Sequence, residues 1–421
     1  MIIVNLDNKD IIKLSKISSV ISIDYYELYI PDDIITYNYD EYDQLSNLVL
    51  NTQEFTGTGV KIGVFDVGIP NDSETQGMNV IAMNGTYNGT HSGFVASILK
   101  EIAPDADYYF TGHAGISVES HVEWLLDNGV NVISMSLSAG GDGYSNYGNT
   151  AKWFDHIAYN HYVLLVKSSG NISATVSSPG MAYNVMTVGA FVQNGANYSL
   201  ASFSGYYTGN TLASKPDICA IGPNGTSEAA PRVAATAALL IEADPMMIYS
   251  PEMLKAVLTA SVNTNTIHHY VPTQRSTSGI NYMQVGAGLL SANESIKTTV
   301  NNQTRCSTIT SPYNDYSYTF TVTSAEVGST VRVSLAYSVP VIIGTDHSSL
   351  NVTTYPMPDL NLMVYSPNSA FPSWISATTN NNVEIVEFIP QVSGTYTIKI
   401  TSSDTANYNN DIYFGVAWSI Q

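Results

Sequence analysis

Charge is what this chain has least of. Only 12% of its 421 residues are Asp, Glu, Lys or Arg, about half the usual share for a soluble domain. Basic residues are scarcer still, 15 against 35 acidic, which leaves a net charge of −20. A surface of that sign repels phosphate backbones, so no nucleic-acid partner is expected. Long apolar runs are missing too. No stretch approaches the ~20 residues a membrane-spanning helix needs, so no transmembrane segment is expected. The opening Met1-Ile2-Ile3-Val4-Asn5-Leu6-Asp7 turns polar at once and does not read as a signal peptide. Two cysteines, Cys219 and Cys306, exclude a disulfide framework but leave open one bridge or two free thiols.

The place of charge is taken by Tyr, Asn, Ser and Thr, a composition that suits an extracellular or cell-surface setting. At 44% hydrophobic, the chain can bury large cores, and its length predicts two or three domains. Residues 1–30 read as strand, helix, strand, and residues 31–53 dissolve into Asp, Tyr and Asn as a linker. From 54 to 300, short apolar runs alternate with helical segments. The runs at 60–65, 130–137, 162–166 and 185–192 lack clean alternation, as strands buried on both faces do. Helices are expected at 93–100, 118–128 and 150–160. This order predicts an α/β domain with a doubly wound parallel sheet. From about Tyr316 the period becomes two, and residues 305–421 are expected to form a separate all-β sandwich.

Polar residues interrupt the apolar runs where such sheets bind ligands, at the carboxyl ends of the strands. Asp66 follows one run, Ser136 and Ser138 end another, and Asn171 follows a third after Lys167-Ser168-Ser169-Gly170. His91 sits in Gly89-Thr90-His91-Ser92-Gly93, where small residues let a helix start lie close to the sheet. Ser227 precedes an Ala-rich helix that is apolar nearly all round and therefore buried. Pro231 is expected in its first turn, where a missing N–H costs nothing. A serine at such a helix start faces unpaired N–H groups, which favour a developing negative charge. The other histidines, among them His113, His121, His156 and His161, have no motif around them and read as surface or packing residues. Glu123 and Asp127 read as a solvated helix face.

Asp66-Val67-Gly68-Ile69, Gly89-Thr90-His91 and Gly225-Thr226-Ser227-Glu228-Ala229-Ala230-Pro231 together resemble the three signature blocks of the subtilisin-like serine proteases, in that family's order. Ser134-Met135-Ser136-Leu137, Ser169-Gly170-Asn171 and Lys215-Pro216-Asp217 add to the likeness, which spans about residues 57–295. The resemblance implies a serine endopeptidase acting on proteins or peptides. Ser227 would be the nucleophile, His91 the base, Asp66 its support and Asn171 the oxyanion donor. By the same likeness Ser136, Leu137, Ser138, Ala139, Ser168, Ser169 and Gly170 would line the pocket for the residue before the cut. Ser138 and Ala139 stand where glycines are frequent, which narrows that pocket.

The flanks carry resemblances of their own. Residues 1–30 are similar to the second half of an inhibitory propeptide, so the chain's own N-terminal segment is a candidate inhibitor. The alternative is a plain strand pair docked on the core. Residues 305–421 resemble a jelly-roll domain in which calcium can bind, with Asp359, Glu384 and Glu387 as candidate ligands. No cofactor is implied for the chemistry itself. The short span from His91 to Pro104 leaves no room for a calcium loop frequent in the family, and the short span before Ser227 implies an open leaving-group side. Glu228 stands where a small or sulfur-containing residue is usual. Two rival readings are an acid peptidase of the sedolisin type, against which His91 and Asn171 speak, and a binding protein on an inactive scaffold.

Overall fold

The computed structural model describes residues 29–31, 55–83, 89–112, 117–139, 142–194, 197–209, 212–264, 284–310, 315–343, 352–354, 357–402 and 411–421. The strand–helix–strand expectation for 1–30 and the linker at 31–53 therefore lie outside them, except for a first strand, β1, at Tyr29–Pro31.

The strands that follow are β2 (Lys61–Asp66), β3 (Asn79–Ala82), β4 (Asp107–Gly112), β5 (Val132–Met135), β6 (Leu137–Ala139), β7 (Leu164–Ser168), β8 (Met186–Asn194), β9 (Asn197–Leu200) and β10 (Ile218–Ile221). Helices span Thr90–Ile102, Val118–Asp127 and Asn149–His161, each within a few residues of its expected range. The main sheet runs β10-β8-β7-β5-β2-β4-β3, with every neighbouring pair along it parallel. It is mixed rather than wholly parallel, because β9 folds back antiparallel on β8.

The lack of alternation in the central strands has a plain cause. Ile62, Val64, Val132 and Leu164 pack into a core with the Thr90–Ile102 and Thr226–Ala243 helices. Their neighbours Phe65, Ile133 and Leu165 pack into a second core on the other face. Both faces of these strands are dry, so neither can be polar.

The C-terminal region comprises β11 (Thr304–Ile309), β12 (Tyr316–Val322), β13 (Val331–Tyr337), the pair β14 (Val341–Ile343) and β15 (Val352–Thr354), β16 (Leu360–Tyr365), β17 (Trp374–Ser376), β18 (Val383–Phe388), β19 (Gly394–Ser402) and β20 (Ile412–Ile420). Two four-stranded antiparallel sheets, β11-β20-β13-β18 and β12-β19-β16-β17, enclose a core that includes Phe320, Val333, Leu362, Tyr396 and Trp418. The period-two pattern is clearest in β16, where Leu360, Leu362 and Val364 are buried.

This sandwich is fastened to the α/β unit through the Pro251–Ala260 helix. A side chain at Gly415 would meet the Met253 backbone at 2.3 Å, so only glycine allows the approach. Arg332, wholly buried, donates to the Thr259 carbonyl at 3.0 Å and the Ala287 carbonyl at 2.9 Å, and pairs with Glu387 at 2.8 Å.

Glu252 opens that helix with a carboxyl that burial pushes up from 4.5 to about 7, only partly offset by its own N–H and by Lys255. Burial also raises Asp155 to about 6, against hydrogen bonds from Asn184, Tyr147 and Tyr183. Both groups hold protons in the folded chain at a pH where the unfolded chain has lost them. Their stabilisation is complete below the unfolded values and is lost as pH rises through about 6 to 7. We expect a higher melting midpoint at pH 5 than at pH 7.5, and a shallower dependence in Glu252→Gln. Calorimetric melts across that range check it; an unchanged slope in the variant would contradict the assignment to Glu252.

Candidate active site

Asp66 is the last residue of β2 and fully buried. Its Oδ1 lies 2.6 Å from Nδ1 of His91 and also accepts the Val67 N–H at 2.5 Å. His91 is the second residue of the Thr90–Ile102 helix. That helix starts against the sheet because residue 89 is glycine: a Cβ there would sit 2.2 Å from the Val67 carbonyl oxygen. The close approach is thus made just outside the helix; inside it, a Cβ on Gly93 would meet the Glu74 carboxylate at 2.1 Å rather than the sheet.

Ser227 is the second residue of the helix Thr226–Ala243 and is buried along with nearly all of that helix. Its hydroxyl donates to the Ser136 carbonyl at 3.3 Å, and the Ser136 hydroxyl donates to the Ser227 carbonyl at 3.1 Å. The second bond explains a correction. Pro231 lies in the second turn, not the first, as the sixth residue of the helix. Its missing N–H would have bonded the Ser227 carbonyl four residues back, and the Ser136 hydroxyl takes over that bond.

Asn171 follows β7 and Gly170. Its Oδ1 accepts both the N–H and the hydroxyl of Thr226, each at 2.9 Å. The Thr226 oxygen in turn accepts the Gly170 N–H at 3.1 Å. With the oxygen end of the amide held on the helix start, the Nδ2 end is fixed in direction. Thr226 was not singled out from the sequence as a positioning residue, although it stands in the Gly225-Thr226-Ser227 block itself.

The residues expected to line a pocket divide between two chain segments. Leu137, Ser138 and Ala139 form β6, continuing from Ser136; Ser168 ends β7 and leads to Ser169 and Gly170. β1 pairs antiparallel with β6, Tyr29 opposite Ala139, Ile30 opposite Ser138 and Pro31 opposite Leu137.

Glu228 does not point into solvent. Its buried carboxylate folds back to accept from the Asn224 side chain at 2.8 Å and the Asn224 N–H at 3.4 Å, a variant of the reciprocal helix-start cap. His121, expected as a surface or packing residue, packs: it is buried, stacked on Phe65, and hydrogen-bonded to Thr111. His113 lies outside the described residues. Both cysteines are free, Cys219 buried and Cys306 exposed.

The three candidate calcium ligands are not brought together. Glu384 and Glu387 are three residues apart in β18, so their side chains leave opposite faces of the strand. Glu387 turns to Arg332. Glu384 is held by Ser376 and Thr378, and burial, with a further push from Asp359, raises it to about 7. Among the described residues no group of three or more His, Cys, Asp or Glu could hold a metal ion.

Comparison with known proteins bears on the family of the chain. A family model described as Subtilase family matches residues 80–288. M-protease of Shouchella clausii (strain KSM-K16) is 31% identical over 242 residues, 50% of this chain and 62% of that protein. Subtilisin BL of Lederbergia lenta is 32% identical over 220 residues, 45% of this chain and 79% of that protein. This chain belongs to the subtilase family. Fervidolysin of Fervidobacterium pennivorans, a solved structure, aligns with 81% of this subtilase and 52% of its own chain, at 18% identity and a TM-score of 0.42. The chain spans about three-fifths of the length of the first curated relatives it matches. His91, Asn171 and Ser227 fall inside the matched stretch of this subtilase. Asp66 precedes it, so its place in the site rests on the 2.6 Å contact with His91.

Proposed function

We propose that this subtilase is a serine endopeptidase that hydrolyses peptide bonds of proteins through Asp66, His91 and Ser227. The observation that carries the reading is the buried Asp66–His91 pair, formed at 2.6 Å, with a serine at the start of a buried helix completing the set.

In this reading Ser227 gives up the Ser136 carbonyl and attacks the substrate carbonyl while Nε2 of His91 takes its proton. Asp66 keeps the proton of the neutral ring on Nδ1 and stabilises the imidazolium that forms. The same ring then protonates the leaving amine. The oxyanion develops beside the first N–H groups of the Thr226–Ala243 helix and is met by the Asn171 amide, whose orientation Thr226 sets. Side chains and backbone carry every step, and no cofactor enters. The sedolisin alternative has no support in a site with an imidazole at the base position and an amide at the oxyanion position.

The N-terminal segment is proposed as an inhibitor of the uncut chain. What supports this is the pairing of β1 on β6, where a substrate strand would have to lie. We take the two-sheet C-terminal region as a jelly roll, and the setting as extracellular or cell surface, in keeping with a surface poor in charge. No helix among the described residues is long and apolar enough to cross a membrane.

Dye-quenched casein at neutral pH tests the activity. Steady fluorescence release, rising after limited proteolysis within residues 31–53, is expected. No release from either form would overturn the reading.

A further inference from the structure

We infer that the site cuts after acidic residues and that Lys167 is the residue that reads them. The inference rests on the peptidase reading above and names its substrate class.

The first observation is the register of β1 on β6. The strand runs from Tyr29, opposite Ala139, to Pro31, opposite Leu137, and so advances toward Ser136. The Ser136 carbonyl is where the Ser227 hydroxyl rests. A peptide bound in this register brings its next residue beside Ser136 and offers that residue's carbonyl to Ser227. In this chain's own sequence the residue after Pro31 is Asp32, followed by Asp33.

The second observation concerns the space that such a residue's side chain would enter. β5 and β7 end paired at Met135 and Lys167. Beyond that pair the Ser168 hydroxyl still reaches the Met135 carbonyl at 3.4 Å, and then the chains part, one into β6 and the other toward Asn171. Lys167 is wholly buried at this fork. Its ammonium donates to the Ser168 carbonyl, to the Ser168 hydroxyl at 3.2 Å and to the Ser177 hydroxyl at 2.9 Å. Ser177 is bound to the same wall, its N–H on the Ser169 carbonyl at 2.9 Å, and a Cβ on Gly170 would come within 2.9 Å of its hydroxyl.

A cation and two hydroxyls thus sit behind the 168–170 wall, where an apolar pocket would present aliphatic groups. An apolar side chain entering there gains nothing from these donors and strips them of water. A carboxylate accepts from the hydroxyls and pairs with the ammonium in a medium where both interactions are strong.

A panel of fluorogenic tetrapeptides that differ only in the residue before the cut tests this, using Asp, Glu, Asn, Leu and Phe there. For the full chain cut within 31–53, we expect kcat/KM for Asp or Glu to exceed that for Asn and Leu by about tenfold or more. The Asp-to-Asn ratio should collapse in Lys167→Met; should that variant fail to fold, the wild-type profile alone decides. Efficient cleavage after Leu or Phe with Asp poor would overturn the acidic preference and leave the peptidase reading standing. No cleavage of any peptide, with Ser227 also inert to a serine-directed phosphonate, would overturn both.

Discussion

Ser227→Ala is expected to lower kcat by about 10⁶-fold, the loss known for removing the same residue type from subtilisin, with the fold unchanged. The size follows from the division of labour proposed for the site. Without a nucleophile the Asp66–His91 pair has no proton to take, and the helix start has no tetrahedral intermediate to stabilise. What remains is binding and a misplaced water. The structural cost is small because the hydroxyl makes one long hydrogen bond, 3.3 Å to the Ser136 carbonyl, worth about 0.5–1.5 kcal/mol. The bond from Ser136 to the Ser227 carbonyl involves no serine side chain at 227 and survives the substitution. Turnover of a peptide substrate and a melting curve on the same preparation separate the two effects. Activity within a hundredfold of wild type in a folded variant would assign the nucleophile elsewhere.

Asp66→Asn is expected to lower kcat by about 10⁴-fold, by the logic established for the acid of such triads. Asp66 Oδ1 holds both the His91 ring and the Val67 N–H, while Oδ2 is buried with no hydrogen-bond partner among the described residues. An asparagine can fill this place in two ways, both poor. With its oxygen toward His91, the amide N–H₂ is buried without an acceptor and the imidazolium loses its counter-charge. With its N–H₂ toward His91, the ring must accept on Nδ1, carries its proton on Nε2, and cannot take one from Ser227. The kcat of a correctly folded Asp66→Asn protein measures this, and a loss of less than tenfold would mean that Asp66 is structural only.

Much of this was legible in the sequence, and the reason differs by element. The buried strands showed because both faces are dry, the helix start at His91 because close approach to the sheet demands a small residue, and the helix at Ser227 because an Ala-rich run apolar all round must be buried. The sandwich showed through Tyr318, Phe320 and Val322, whose neighbours in β12 are exposed, and through Val331, Val333, Leu335 and Tyr337, although every residue of β13 is buried. Other features arise only when distant segments meet. Pro231 reads as a first-turn residue because nothing local reveals that Ser136, 91 residues before Ser227, supplies the missing bond. Glu384 and Glu387 looked like partners for a metal, yet Arg332 on β13 claims one of them. Lys167 stands in the run before Asn171, but its reach to Ser177 depends on a chain turn that no spacing encodes.

The central claim, that Ser227 is the nucleophile activated by Asp66 and His91, is tested most directly by a serine-directed phosphonate at neutral pH. The adduct would be located by peptide mass, with the N-terminal segment in place and again after cleavage within residues 31–53. The account predicts a single adduct on the peptide carrying Ser227 in the cut form, absent from Ser227→Ala. An adduct on another residue, or none in either form, would contradict it.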